Sequence, residues 1–118
     1  MAYYSNENAV GAWADINMTG TAVLNDSYNC SSVTDHAEGE NTLYFDTDFA
    51  NANYCIVQHS ENHEGNNTDS GNVASTYKGT YRAAGSVKFA NMRLRFDAQP
   101  PQYKDSTHCS FAVFGDLS

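Results

Sequence analysis

Gly11-Ala12-Trp13-Ala14-Asp15-Ile16-Asn17-Met18 is the stretch that decides the fold class. Its small and apolar residues Ala12, Ala14, Ile16 and Met18 recur at every second position, and Trp13, Asp15 and Asn17 fill the positions between. A period of two puts the first set on one face of an extended strand and the second on the other. No window of the chain keeps apolar residues at i, i+3, i+4 and i+7 for three turns, so strands are expected throughout and helices are not.

The same short-period pattern continues in both directions from that strand. Thr19-Gly20 and Asn25-Asp26 read as turns around the run Thr21 to Leu24. A further strand is expected over Tyr28 to Thr34, followed by the polar turn Asp35-His36-Ala37-Glu38-Gly39-Glu40. Its partner carries Leu43, Phe45 and Thr47 on one face and Thr42, Tyr44 and Asp46 on the other. Tyr54-Cys55-Ile56-Val57-Gln58-His59 is the most continuously apolar strand and is expected at the centre of a sheet. Later strands are expected at Val73 to Tyr77, Gly85 to Phe89, Met92 to Asp97 and Cys109 to Phe114, with Pro100-Pro101 breaking pairing. Eight or nine short strands predict an all-β antiparallel sandwich, jelly-roll-like, as a single domain over residues 11–118. Residues 1–10 read as an N-terminal arm in which Tyr3 and Tyr4 require a neighbouring surface to pack against.

Polarity in this chain comes from neutral groups. Asn, Ser and Thr make up 33 of 118 residues while only 17% are charged, a composition that suits strands and turns. Fourteen acidic against six basic residues give a net charge of −8, which repels phosphates and anionic headgroups, so neither nucleic-acid binding nor membrane insertion is expected. The start, Met1 to Asn8, has no cationic region and no apolar stretch of the signal-peptide kind, so synthesis without export is expected. Cys30, Cys55 and Cys109 are an odd number without CxxC spacing and are expected as reduced, small apolar residues of strands. Lys88, Arg93 and Arg95 are expected on neighbouring strands as a local positive stripe.

Catalytic and metal-binding patterns do not assemble. His59 and His63 with Glu61 and Glu64 lack the helix and the spacing of a zinc site. His108-Cys109 are strand neighbours whose side chains point apart. Asp46 and Asp48 have no second carboxylate across a cleft. No cofactor and no metal are expected, and no enzymatic activity. Ser60 to Asn72 runs thirteen residues without an apolar side chain and reads as one exposed loop. With His59 at the end of the preceding strand, its polar residues Glu61, Asn62, His63, Glu64, Asn66, Asn67, Asp69 and Asn72 form the candidate contact surface.

The runs Ala12-Trp13-Ala14-Asp15-Ile16-Asn17, Gly20-Thr21 and Asp26-Ser27-Tyr28-Asn29-Cys30-Ser31-Ser32-Val33-Thr34-Asp35 carry a more specific likeness. It continues through Thr42-Leu43-Tyr44-Phe45-Asp46-Thr47, Phe49-Ala50-Asn51-Ala52-Asn53-Tyr54 and the ending Phe111-Ala112-Val113-Phe114-Gly115-Asp116. Over residues 12 to 116 the chain resembles a small β-rich module of bacteriophage structural proteins, often found at the distal C-terminal end of tail fibres. The resemblance implies a virion component without enzymatic activity, made in the host cytoplasm. It also implies a homotrimer that contacts other virion proteins and presents loops to a host-surface glycan or protein. About ten residues precede the module where family members carry a long shaft, so attachment is expected to be non-covalent. A capsid decoration protein, with trimers clamping the shell, is the alternative that this departure keeps open.

Overall fold

The computed structural model describes residues 10–61, 70–76, 82–95 and 102–118. These residues form two antiparallel sheets packed face to face, and the all-β expectation holds. The strands are β1 (Val10–Asn17), β2 (Val23–Tyr28), β3 (Cys30–Ala37), β4 (Glu40–Phe45), β5 (Cys55–Ser60), β6 (Ser70–Thr76), β7 (Ser86–Arg95), β8 (Gln102–Tyr103) and β9 (Cys109–Phe114). One sheet has the order β2-β1-β9-β5; the other has the order β3-β4-β7-β6, with β8 also paired to β7.

Alternation in β1 works as the sequence predicts. Ala12, Ala14 and Ile16, with Met18 just beyond the strand, are buried against Leu43, Phe45, Val87, Phe89, Cys109, Phe111 and Val113. Phe49 and Phe89 are almost wholly buried, and each such ring stabilises the fold by roughly 1.5–3 kcal/mol through area removed from water. The ring centroid of Phe89 lies 4.4 Å from that of Phe111, which ties the two sheets together at mid-core.

The chain changes sheet at a single residue. Tyr28 to Thr34 is not one strand: β2 ends at Tyr28 in the first sheet and β3 begins at Cys30 in the second. Asn29 between them has φ 55°, a left-handed conformation that Asn tolerates better than most side chains. Its side chain fixes the corner, with Nδ2 donating to the carbonyls of Gly11 (2.9 Å) and Thr47 (3.0 Å) and Oδ1 accepting from the Thr47 amide (2.6 Å).

Other expectations fail for similarly local reasons. Asn25-Asp26 is no turn but part of β2, where Asp15 pairs Asp26 and Ile16 pairs Leu24, so Asn25 is the extra residue of a bulge. Gly85 to Phe89 and Met92 to Asp97 are not two strands. A single strand, β7, runs through Asn91, whose backbone carbonyl accepts from the Lys104 amide and whose Nδ2 donates to the Lys104 carbonyl. Lys88, Arg93 and Arg95 therefore share one strand instead of lying on neighbours. The most apolar run is also not central, because β5 lies at the edge of its sheet with Cys55, Val57 and His59 exposed.

The two ends of the sandwich differ in chemistry. At one end Phe45, Phe49 and Tyr54 form a ring cluster with centroids 4.8–5.6 Å apart. Arg82 stacks 4.5 Å over the Tyr54 ring and donates to the carbonyls of Ala52 and Tyr54. Burial raises the pKa of the Tyr54 hydroxyl, against the opposing pull of Arg82, and the hydroxyl donates to the Ala83 carbonyl at 2.9 Å. At the other end the interior is polar: Asn41 (both amide atoms), Gln58 Oε1, Ser60 Oγ and Asn91 Oδ1 are buried without a hydrogen-bond partner among the described residues.

Candidate functional site

The outer face of the β2-β1-β9-β5 sheet is the most distinctive surface of the described residues. Strand pairing lines up Tyr28 with Trp13, Trp13 with Ala112, and Ala112 with Val57, so one apolar row crosses all four strands. Beside it Val10 pairs Phe114 and Phe114 pairs Cys55, a second largely apolar row. Trp13, Tyr28 and Val57 are 36%, 52% and 57% exposed. Large side chains carry roughly 150–250 Å² each, so the band leaves on the order of 300 Å² of apolar surface in water, within the range of the largest apolar patch on a single domain, which often serves binding.

The opposite outer face has a different composition. On the β3-β4-β7 side the paired outward residues are Ser32 with Tyr44, Thr34 with Thr42, Thr42 with Lys88, and Tyr44 with Ser86. Tyr44 is the exposed large hydrophobic among these, and His36 Nε2 lies 2.8 Å from Thr42 Oγ1. Among these paired residues Tyr44 is the one large hydrophobic side chain, against Trp13, Tyr28 and Val57 in the row on the other sheet.

A polar row borders the apolar band on the side away from Phe114. Asp26 pairs Asp15, Asp15 pairs Ser110 and Ser110 pairs His59. Two aspartates directly opposite each other repel, and three donors quench one of them. His108 Nδ1 lies 2.8 Å from Asp15 Oδ2, Ser110 Oγ donates to Asp15 Oδ1 at 3.0 Å, and Asn25 Nδ2 approaches Oδ2 at 3.3 Å. Partial burial works to raise the Asp15 pKa, but the hydrogen bonds from His108, Ser110 and Asn25 outweigh it and hold the carboxyl below its ordinary value. The hydrogen bond that the imidazole donates to Asp15, with the charge of that carboxylate, raises the pKa of His108. Ser110 donates to the carboxylate and not to the imidazole, so the trio lacks the hydroxyl-to-base contact of a nucleophilic triad.

Between the apolar and polar rows lies a shallow depression of about 190 Å³ lined by Val57, Gln58, His59, Ser110, Phe111 and Ala112. A second hollow of about 330 Å³ lies near the ring-cluster end, lined by Asn51, Asn53, Cys55, Phe114, Gly115 and Asp116.

The two ends of the predicted contact loop lie in strands, and its members separate. His59 lies in β5 on the outer face and Asn72 lies in β6, so neither belongs to a loop. Glu61 follows β5 directly; its amide donates to the His108 carbonyl at 3.0 Å and its carbonyl accepts from Ser106 Oγ at 2.8 Å. Asn62, His63, Glu64, Asn66, Asn67 and Asp69 lie outside the described residues, as do Tyr3 and Tyr4 of the arm. Val10, assigned to the arm, is the first residue of β1. The three thiols are free: Cys109 is buried with its pKa pushed up to about 12, Cys30 is partly buried and pushed up to about 11, and Cys55 is exposed, not a core residue. Among the described residues no three His, Cys, Asp or Glu side chains cluster as metal ligands.

Trp13 with Ala112 and Val57 was legible in principle, because outward positions of alternating strands are expected to be polar and these are not. The His108–Asp15 pair, 93 residues apart, left no sequence signal. Comparison with protein-family models, with curated proteins and with solved structures finds no match.

Proposed function

We propose that this chain is a non-enzymatic structural module of a bacteriophage particle, of the tail-fibre type, that serves host attachment or fibre assembly. The observation that carries the assembly half of this reading is the apolar outer face of the β2-β1-β9-β5 sheet. A contiguous apolar row on one outer face is a surface that a neighbouring protein can cover. The virion setting rests on the likeness of residues 12 to 116 to phage fibre modules, and other virion proteins are the expected neighbours. Attachment is assigned to the segment between Glu61 and Ser70.

Particles purified from cells that express the chain provide the test. Quantitative mass spectrometry of banded particles should recover the chain, and a labelled antibody should mark it at the tail. Its absence from particles contradicts the virion role. Shell-wide labelling at high copy number contradicts the tail-fibre placement and gives the capsid decoration role instead.

A further inference from the structure

We infer that the apolar outer face of the β2-β1-β9-β5 sheet is covered by the same face of a second copy of this chain, the two related by a two-fold axis parallel to the strands. The inference rests on the reading of the chain as an assembly module, names its first partner, and puts a two-fold pair in place of the homotrimer that the resemblance implies. Such an axis keeps each residue's position along the strands and reverses the strand order. β1 of one copy then lies over β9 of the other, and β2 lies over β5.

Three features of the face become complementary under that one operation. Trp13 stands over the partner copy's Ala112, the smallest side chain of its row, beside the depression of about 190 Å³ lined by Val57, His59, Ser110 and Ala112. A ring projects from one half of the face, a hollow sits in the other half, and the two-fold engages both twice. Tyr28, 52% exposed, meets Val57, 57% exposed, so the two most exposed apolar side chains of the row cover each other. In the polar row Asp26 at the β2 edge meets His59 at the β5 edge. An imidazole N–H donates to a carboxylate in either protonation state of the ring, and among the described residues neither Asp26 nor His59 has an ion-pair partner within its own chain.

Size agrees with a modest interface. Four strands about 4.8 Å apart, each five or six residues long at about 3.3 Å per residue, give a footprint on the order of 400 Å² before side-chain relief. That is about half the roughly 800 Å² per partner of a standard interface, so the pairing is of the weak, transient class. Sheets packed face to face at a small angle are an ordinary arrangement.

Sedimentation equilibrium of the full chain over about 1–300 micromolar, the range a small interface spans, tests the pairing. The expected result is a monomer–dimer equilibrium. Val57→Asp, on an exposed edge strand, should raise the dissociation constant at least tenfold with unchanged circular dichroism. Ala112→Phe, which fills the hollow without adding a charge, should do the same and serves as the readout if Val57→Asp perturbs folding. Thr34→Asp on the opposite, polar face should leave the dimer intact. Asp26→His and His59→Asp should each weaken it, and the double variant, which restores the pair with its members exchanged, should recover most of the loss. A wild-type monomer throughout, a trimer, a dimer indifferent to both Val57→Asp and Ala112→Phe, or a double variant weaker than either single overturns the inference. A chain that is monomeric in solution yet present in particles contradicts the pairing and leaves the virion role standing, so the two failures are distinguishable.

Discussion

Asn29 holds a conformation that most side chains resist, at the point where the chain leaves one sheet for the other. Its left-handed backbone costs a residue other than Gly, Asn or Asp on the order of 1 kcal/mol or more, and its side chain supplies three hydrogen bonds to Gly11 and Thr47. Asn29→Ala loses both and should destabilise by roughly 2–3 kcal/mol in urea unfolding. Asn29→Gly keeps the backbone and loses only the bonds, so its cost should be smaller by about 1 kcal/mol. Equal losses in the two variants would show that the corner depends on the side chain alone. The Asp15–His108 pair makes a second prediction at this scale. A raised folded-state imidazole pKa contributes stability that is complete below the unfolded value of about 6.5 and is lost as pH rises through the folded value. The lowered Asp15 pKa contributes stability that is present above about 3.9 and is lost as pH falls through the folded value. The stability gap between wild type and His108→Gln should therefore be widest between about pH 4 and 6.5 and narrow above that window. A gap that widens from pH 6 to 8 would contradict the pairing. The effect should be modest, because His108 is half exposed.

Among the elements, the β3–β4 hairpin has the least freedom to change. Its tip residue Gly39 has φ 74°, and a Cβ there would lie 2.6 Å from the Lys104 amide nitrogen and 2.7 Å from the Asn91 carbonyl oxygen. Both are backbone atoms held by their own hydrogen bond, so neither side yields. Gly39→Ala should cost roughly 3 kcal/mol or more, from backbone strain and overpacking together, and thermal unfolding reads it directly. A loss under 1 kcal/mol would mean that the tip is not docked on β7. Gly39 was readable as a turn residue, as were the inward faces of β1 and β4, because alternation and turn chemistry are local. What misled the reading were residues whose local preference a distant partner overrides. Asn91 looks like a break but fills a buried niche where its amide donates to the Lys104 carbonyl. Asn25 looks like a turn but is the bulge that lets its amide reach Asp15 and Thr107. The apolar run of β5 looks central but lies at an edge whose outer side chains belong to the exposed band. The candidate site was missed for the same reason. Trp13, Ala112 and Val57 come from three strands, and only the register aligns them.

At the scale of the whole molecule, the ends and faces of the sandwich differ in chemistry. The ring cluster of Phe45, Phe49 and Tyr54 closes one end, and hydrogen bonds join Glu61 to Ser106 and His108. Glu61 directly follows β5 and Ser70 begins β6, so a short turn replacing residues 62–69 joins strands that the sheets already hold. That deletion should leave the unfolding midpoint within a few degrees of wild type, the size of shift a 1 kcal/mol change produces, while abolishing host attachment by the particle. Collapse of the midpoint would show the segment to be structural. The apolar face tests the larger claim, and the chain's single tryptophan, Trp13, reports on it without any labelling. Iodide quenching of Trp13 fluorescence across a dilution series measures whether that face is covered. Burial against a neighbouring copy predicts weak quenching at high concentration that rises on dilution, whereas strong quenching independent of concentration would show the face open to water and contradict its use in assembly.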